Sequence, residues 1–221
     1  VLVKNIDNSS LISAGHYHNC SVLTDGKIKC WGWGTGYGVS GLNSAMTLIN
    51  GISTAISVSS SVGEVSDQGT CAMLSDGTVK CWGGLWTGNG LTSGSTSPVT
   101  ATGISSATSV STGNNHICSS LADGTIKCWG RNTYGQLGNA NLISQTTPIL
   151  VNGISSAKAV SAGYDFTCAL LLDGTIKCWG RGTWGRLGNG STGDQKTPVS
   201  VSGVNTSISV STGYSHACAV L

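Results

Sequence analysis

The chain has 221 residues, of which 9 % are charged, and its net charge is +2. No basic block is present, so nucleic acid has no electrostatic footprint to follow, and no apolar run approaches the ~18 residues of a membrane span. The apolar fraction is mostly Val, Ile, Leu and Ala with a single Phe, and 33 glycines accompany many serines and threonines, a mix that suits short strands and frequent turns.

From the N-terminus, an outer strand is expected at Val1–Val3 and a second strand ending near Ala14-Gly15. The segment Cys20–Gly32, CSVLTDGKIKCWG, follows. Apolar residues alternate on both sides of its Asp-Gly, which signals two short strands joined by a tight turn. The segment returns at Cys71–Gly83, Cys118–Gly130 and Cys168–Gly180, and a fifth copy begins at Cys218. A unit recurring at ~50 residues marks a repeat architecture. The repeats run 1–46, 47–98, 99–148, 149–198 and, in part, 199–221, as one array. Each copy continues past Trp-Gly into a glycine-rich loop and a last strand, which in the later copies is expected to start at Pro98, Pro148 or Pro198. Proline is tolerable at the first position of an outer strand because no ladder donor is needed there.

Each repeat therefore has four strand candidates, in the third near 107–112, 116–121, 125–129 and 148–151. Four short antiparallel strands per ~50 residues describe a propeller blade. The expected fold is all-β: a β-propeller of four complete blades plus a partial one, a section of a larger ring or an open array. Val1–Leu23 and Val199–Leu221 are equivalent parts of the repeat, so the third strand of a fifth blade, with a partner for Cys218, is not supplied by these residues. Trp31, Trp82, Trp129 and Trp179 recur in register and are expected between blades.

The two cysteines of each hairpin are ten positions apart. If they oppose each other, Cys20 faces Cys30, Val22 faces Ile28, and Thr24-Asp25-Gly26 is a three-residue loop with Gly26 in the left-handed position. Opposed residues on antiparallel strands are close enough for a disulfide. The expected bridges are Cys20–Cys30, Cys71–Cys81, Cys118–Cys128 and Cys168–Cys178, with Cys218 unpaired. Each closes a small loop worth roughly 2–3 kcal/mol in the chain-entropy model. Zinc favours short C-x2-4-C pairs and fits these gaps poorly; free buried thiols are the other alternative. Paired cysteines imply an oxidising location, extracellular, at the cell surface or periplasmic. Asn8, Asn19, Asn189 and Asn205 lie in glycosylation sequons, which matter only in a source that glycosylates.

Candidate chemistry is sparse. Asp25, Asp76, Asp123 and Asp173 are turn residues, and Glu64 and Asp67 are the one close acidic pair, inside an insertion. No G-x-S-x-G, P-loop or H-E-x-x-H occurs, so no catalytic residue, metal or cofactor is expected. His18, His116 and His216 stand two before the hairpin Cys, but Gly69 and Phe166 interrupt any ring of imidazoles, and a structural role is expected. The loops after Trp-Gly carry Trp33, Tyr37, Trp86, Tyr134 and Trp184. These either pack on the adjacent blade or form a row of amphipathic aromatics suited to protein or sugar recognition.

The segments SAGYDFTCALLLDGTIKCWGRGTWGRLGNG and STGNNHICSSLADGTIKCWGRNTYGQLGNA resemble repeats of the regulator of chromosome condensation family, with its Gly corner, Asp-Gly turn, Trp-Gly and G-Q-L-G loop. The first two copies, WGWGTGYGVSG and WGGLWTGNG, lack the G-Q-L-G form. The resemblance implies a propeller, usually of seven blades, and the cysteine pair resembles a variant of extracellular bacterial members. It does not imply one function: members include nucleotide exchange factors that bind chromatin, a plant ultraviolet-B photoreceptor and a secreted inhibitor of β-lactamases. The expected role is an extracellular binding or adhesion module, a protein–protein interaction scaffold and not an enzyme. The alternatives are a structural subunit of a surface or filamentous assembly and a propeller lectin. The partner would be a protein, a further copy of the chain or a glycan, without nucleic acid or membrane insertion.

Overall fold

The computed structural model describes residues 8–33, 42–63 and 69–221. They form four four-stranded antiparallel sheets and one two-stranded sheet, each a simple meander. The first holds β1 (Ser9–Ala14), β2 (His18–Leu23), β3 (Ile28–Trp33) and β4 (Leu42–Leu48). The second holds β5 (Ala55–Ser60), β6 (Thr70–Leu74), β7 (Val79–Trp82) and β8 (Val99–Thr100). The third holds β9 (Ala107–Thr112), β10 (His116–Leu121), β11 (Ile126–Gly130) and β12 (Gln145–Leu150). The fourth holds β13 (Ala157–Ala162), β14 (Phe166–Leu171), β15 (Ile176–Gly180) and β16 (Gln195–Ser200), and the fifth holds β17 (Ser209–Thr212) and β18 (Ala217–Val220). The first strands β1, β5, β9, β13 and β17 lie successively side by side, so they are the inner strands and the fourth strands are outermost. This is the blade arrangement of a propeller, four complete blades and a partial one. The strand expected at 1–3 and the Glu64–Asp67 pair lie outside the described residues.

The hairpin register is the one the cysteine spacing requires: Cys20 faces Cys30, Cys118 faces Cys128 and Cys168 faces Cys178. All four hairpin pairs are bridged, with Cα–Cα distances of 4.1 Å, while Cys218 is free and exposed. Gly124 closes the third turn at φ +79°, and a Cβ there would stand 2.5 Å from the Ser155 carbonyl oxygen of the next sheet. The Gly124 carbonyl in turn accepts the N–H of Ala157 at 2.8 Å. Glycine is thus required twice, for the left-handed backbone and for the approach of a neighbouring blade. Asp123 accepts both the N–H and the hydroxyl of Thr125, at 2.9 and 2.6 Å, and these bonds hold its carboxyl below the usual range.

The outer strands correct one expectation. Pro148 and Pro198 lie inside β12 and β16 rather than at their starts. Each falls where the register shifts, between Gln145 and Ile149 in β12 and between Gln195 and Val199 in β16. A bulge on an edge strand leaves that N–H position without a ladder partner, so proline costs no hydrogen bond.

The core lies between sheets. Trp82, Trp129 and Trp179 are fully buried. Trp179 packs against Cys118, Ile126, Leu137 and Val151 of the preceding repeat. Trp31 differs: it is half-buried, because no preceding sheet covers it among the described residues. At the axis, one serine per seam accepts a backbone N–H from the next inner strand: Ser13 from Ser60, Ser59 from Thr112, Ser111 from Ala162 and Ser161 from Thr212, at 2.9–3.0 Å.

Candidate functional site

Each sheet sends two loops to one end, the corner between its first two strands and the loop after Trp-Gly. The two are tied together, since Arg131 N–H donates to Asn115 O at 2.7 Å and Arg181 N–H to Asp165 O at 2.9 Å. Gly130 and Gly180, at φ +108° and +100°, permit that approach, as a Cβ on either would stand 2.4 or 2.7 Å from the same carbonyl oxygen. The loop of the third repeat is built on Asn132. Its buried amide donates to Asn139 Oδ1 and to the Asn141 and Ile143 carbonyls and accepts from Leu137 N–H.

Across the seams from the third to the fifth sheet, this end gathers the three arginines of the chain, Arg131, Arg181 and Arg186, around Asp165. Asp165 is buried, with Arg181 Nη1 at 3.4 Å. Burial raises its carboxyl pKa, and the three guanidinium groups oppose that rise. Arg181 also lies over the Tyr134 ring at 4.8 Å. Arg186 is buried, donates to Thr183 O at 3.0 Å and sits 5.1 Å from the Trp184 ring and 5.7 Å from that of Phe166. Burial and then the like charge of Arg181 lower its pKa. Tyr164 and Tyr214 contact each other at 4.0 Å between centroids. The result is a locally cationic surface of planar side chains. Arginine stacked on aromatic rings gains cation–π energy of ~0.5–1 kcal/mol where exposed.

The candidate aromatics do not form one row. Tyr134 and Trp184 occupy equivalent places, half-buried and 74 % exposed respectively. Trp33 stands at the place of Arg131 and Arg181, half-buried, its N–H donating to Tyr17 O at 2.8 Å. Trp86 corresponds instead to Gln136: the Trp86 carbonyl accepts Trp129 Nε1–H at 3.1 Å, as the Gln136 carbonyl accepts Trp179 Nε1–H at 2.9 Å. The second loop is three residues shorter between Cys81 and Gly88 than the third between Cys128 and Gly138, which moves Trp86 against the core. Tyr37 lies outside the described residues. Sequence reasoning missed the arginine cluster; its signal was the Cys-Trp-Gly-Arg shared by the third and fourth copies, with Tyr164-Asp165 and Tyr214 at corners.

The histidines point elsewhere. His18 and His116 are buried in seams, each bonded to a threonine of the following sheet. Among the described residues no group of three or more His, Cys, Asp or Glu side chains is placed to share a metal ion. No helix there is long and apolar enough to cross a membrane.

The sequence matches the Regulator of chromosome condensation (RCC1) repeat over 123–170 and 173–220, and a second description of the same repeat over 10–38, 107–136 and 157–186. No curated protein matches it. Human WBSCR16 shares the fold with a TM-score of 0.84 at 20 % identity, over 98 % of this chain and 59 % of that one. Prp20p of Saccharomyces cerevisiae, whose structure is described with its binding to Gsp1p and histones, gives 0.82 at 20 % identity, over 99 % and 56 %. The ectodomain of the Arabidopsis thaliana receptor kinase ACR4 gives 0.58 at 18 % identity, over 96 % and 59 %. The chain thus spans less than two thirds of the length of these structures. The repeat matches, together with the four-stranded blades, show that this chain belongs to the regulator of chromosome condensation repeat family.

Proposed function

We propose that the chain is an extracellular binding module, without catalytic activity, that engages a protein partner through the Arg131, Tyr134, Arg181 and Trp184 face. The observation that carries this reading is Trp184. Its backbone holds φ +64°, and its side chain is 74 % exposed. A bulky residue in the left-handed region costs about 1–2 kcal/mol, and burial does not compensate it here. Strain kept at an exposed tryptophan, beside stacked arginines and tyrosines, matches the composition of binding hot spots. Four disulfides support an oxidising location. That the yeast relative binds proteins is compatible with a scaffold role.

The test compares the wild-type chain with Trp184→Ala and Tyr134→Ala on immobilised supports exposed to extracellular and cell-surface protein fractions. Retention of a defined protein by the wild type and its loss with either variant supports the face. Equal retention by all three moves the site elsewhere. Binding to a glycan array, with no protein retained, would favour the lectin reading instead.

A further inference from the structure

We propose that the cavity between the fourth and fifth sheets accepts one more strand of the repeat's own type. The occupant is an extended Ile-Lys-Cys-Trp-Gly segment from a further copy of the repeat. Its indole fills the cavity and its cysteine pairs with Cys218. Trp184, Gly185 and Arg186 also line this cavity, so it borders the proposed binding face, but the inference rests on the apolar walls and the free edge of β18 and not on partner capture by Trp184.

The cavity measures about 340 Å³ and is walled by Ile176, Cys178, Leu187, Val201, Val204 and Val210. Fifty residues earlier stand Ile126, Cys128, Leu137, Val151, Ile154 and Val160, and these enclose the fully buried Trp179. One seam further back, Val79, Cys81, Ala101, Ile104 and Val110 enclose Trp129 in the same way. Ile28, Cys30, Ile49, Ile52 and Val58 surround Trp82 likewise, so three seams with these walls hold an indole and the fourth holds the space for one.

The fittings of an indole are repeated as well. Gly88 and Gly138 lie under the ring edges of Trp129 and Trp179, where a Cβ would come within 2.9 and 2.8 Å of Nε1. Gly188 holds the corresponding left-handed place, at φ +64°. The Trp86 and Gln136 carbonyls receive the two indole N–H groups. The Arg186 carbonyl is the third of that series by position.

The strand edge agrees with the cavity. In the fourth sheet β14 pairs with β13 on one side and β15 on the other. In the fifth, β18 pairs with β17 alone, and Ala217, Cys218, Ala219 and Val220 are all exposed. A strand added to β18 in the register of Cys168 opposite Cys178 places its cysteine opposite Cys218. Opposed positions of this kind are close enough for a disulfide. A second copy of this chain cannot donate the strand, because its four Cys-Trp-Gly segments are already paired and disulfide-bonded.

The probe is the peptide Thr-Ile-Lys-Cys-Trp-Gly, its cysteine carried as the mixed disulfide with thionitrobenzoate. The Cys218 thiolate attacks the peptide sulfur, the protein–peptide disulfide forms, and thionitrobenzoate leaves as the coloured thiolate; no external oxidant is consumed. The native peptide should couple about tenfold faster than one with alanine in place of its tryptophan, the ratio that ~1.4 kcal/mol of indole docking gives. Val210→Trp, which fills the cavity, should abolish the preference. With Cys218→Ser, the reduced native peptide should still bind, read as a blue shift of its indole emission. Equal rates for both peptides would show that Cys218 is only an accessible thiol and would overturn the proposal. So would preferential formation of a Cys218–Cys218 dimer that takes up no peptide.

Discussion

His116 Nε2 lies 2.9 Å from Thr167 Oγ1, across the seam between the third and fourth sheets. Thr167 donates its single hydroxyl hydrogen to Gln136 O at 3.0 Å, so His116 is the donor, protonated on Nε2. The Gln136 carbonyl also receives Trp179 Nε1–H, which joins a corner, a loop and the buried indole at one atom. His18 and Thr70 repeat the pair two seams earlier, between the first and second sheets, at 2.8 Å. Where the histidine position holds Gly69 or Phe166, the partner position holds Ile117 or Ala217 instead of threonine. The two positions therefore change together within this one chain, polar with polar and apolar with apolar.

Thr167→Ala should destabilise the chain by about 1–3 kcal/mol, because it leaves a buried imidazole N–H without its acceptor. The double variant H116F/T167A, which copies the Phe166 and Ala217 pair, should recover most of that loss, since replacing both partners by apolar groups is close to neutral. Urea denaturation of the three proteins checks this. A double variant weaker than Thr167→Ala would mean that the hydrogen bond does not govern the seam.

The same pair gives a pH dependence. Burial lowers the His116 pKa from 6.5 to about 3. The unfolded chain therefore binds a proton that the folded one excludes between these values. Stability is complete above about pH 6.5 and falls as the pH drops toward about 3, by up to about 1.4 kcal/mol per unit within the window. H116F/T167A should lack this component, so its stability relative to the wild type should rise as the pH falls from 7 to 4. Parallel pH profiles for the two proteins would refute the assignment.

Much of the blade is legible in the sequence because its constraints are local. Asp-Gly turns, the ten-residue cysteine register and the Trp after each second Cys follow from contacts within a hairpin or its fifty-residue copy. The unread features depend on which residues face each other across a seam. Arg131, Arg181 and Asp165 come from three different chain segments, and only the stacking of the third and fourth sheets brings them together. Ser13, Ser59, Ser111 and Ser161 look like ordinary polar strand residues until the axis places each beside the next backbone N–H. Pro148 reads as a strand start because its bulge is invisible without the partner strand.

Reduction should loosen every blade. Each hairpin bridge constrains a short loop, and losing one costs roughly 2–3 kcal/mol. Cys118→Ala/Cys128→Ala should lower the melting temperature in the absence of reductant, and excess dithiothreitol should narrow the gap to the wild type. Thiol alkylation of the unreduced chain should block one cysteine, Cys218. Extensive alkylation without reductant would remove the support for an oxidising location.

Two tryptophans five residues apart should behave oppositely. Trp179 is fully buried and bonded through Nε1 to Gln136 O, so Trp179→Ala should cost about 3–5 kcal/mol, through an unfilled seam. Trp184 is 74 % exposed at φ +64°, and glycine adopts that backbone without strain. Trp184→Gly loses the Arg186 contact, worth ~0.5–1 kcal/mol, and relieves a left-handed cost of about 1–2 kcal/mol. Its melting temperature should match or exceed the wild type, while partner capture falls. A marked loss of stability in Trp184→Gly would show that this ring supports the loop, and the case for Trp184 as a binding residue would fail.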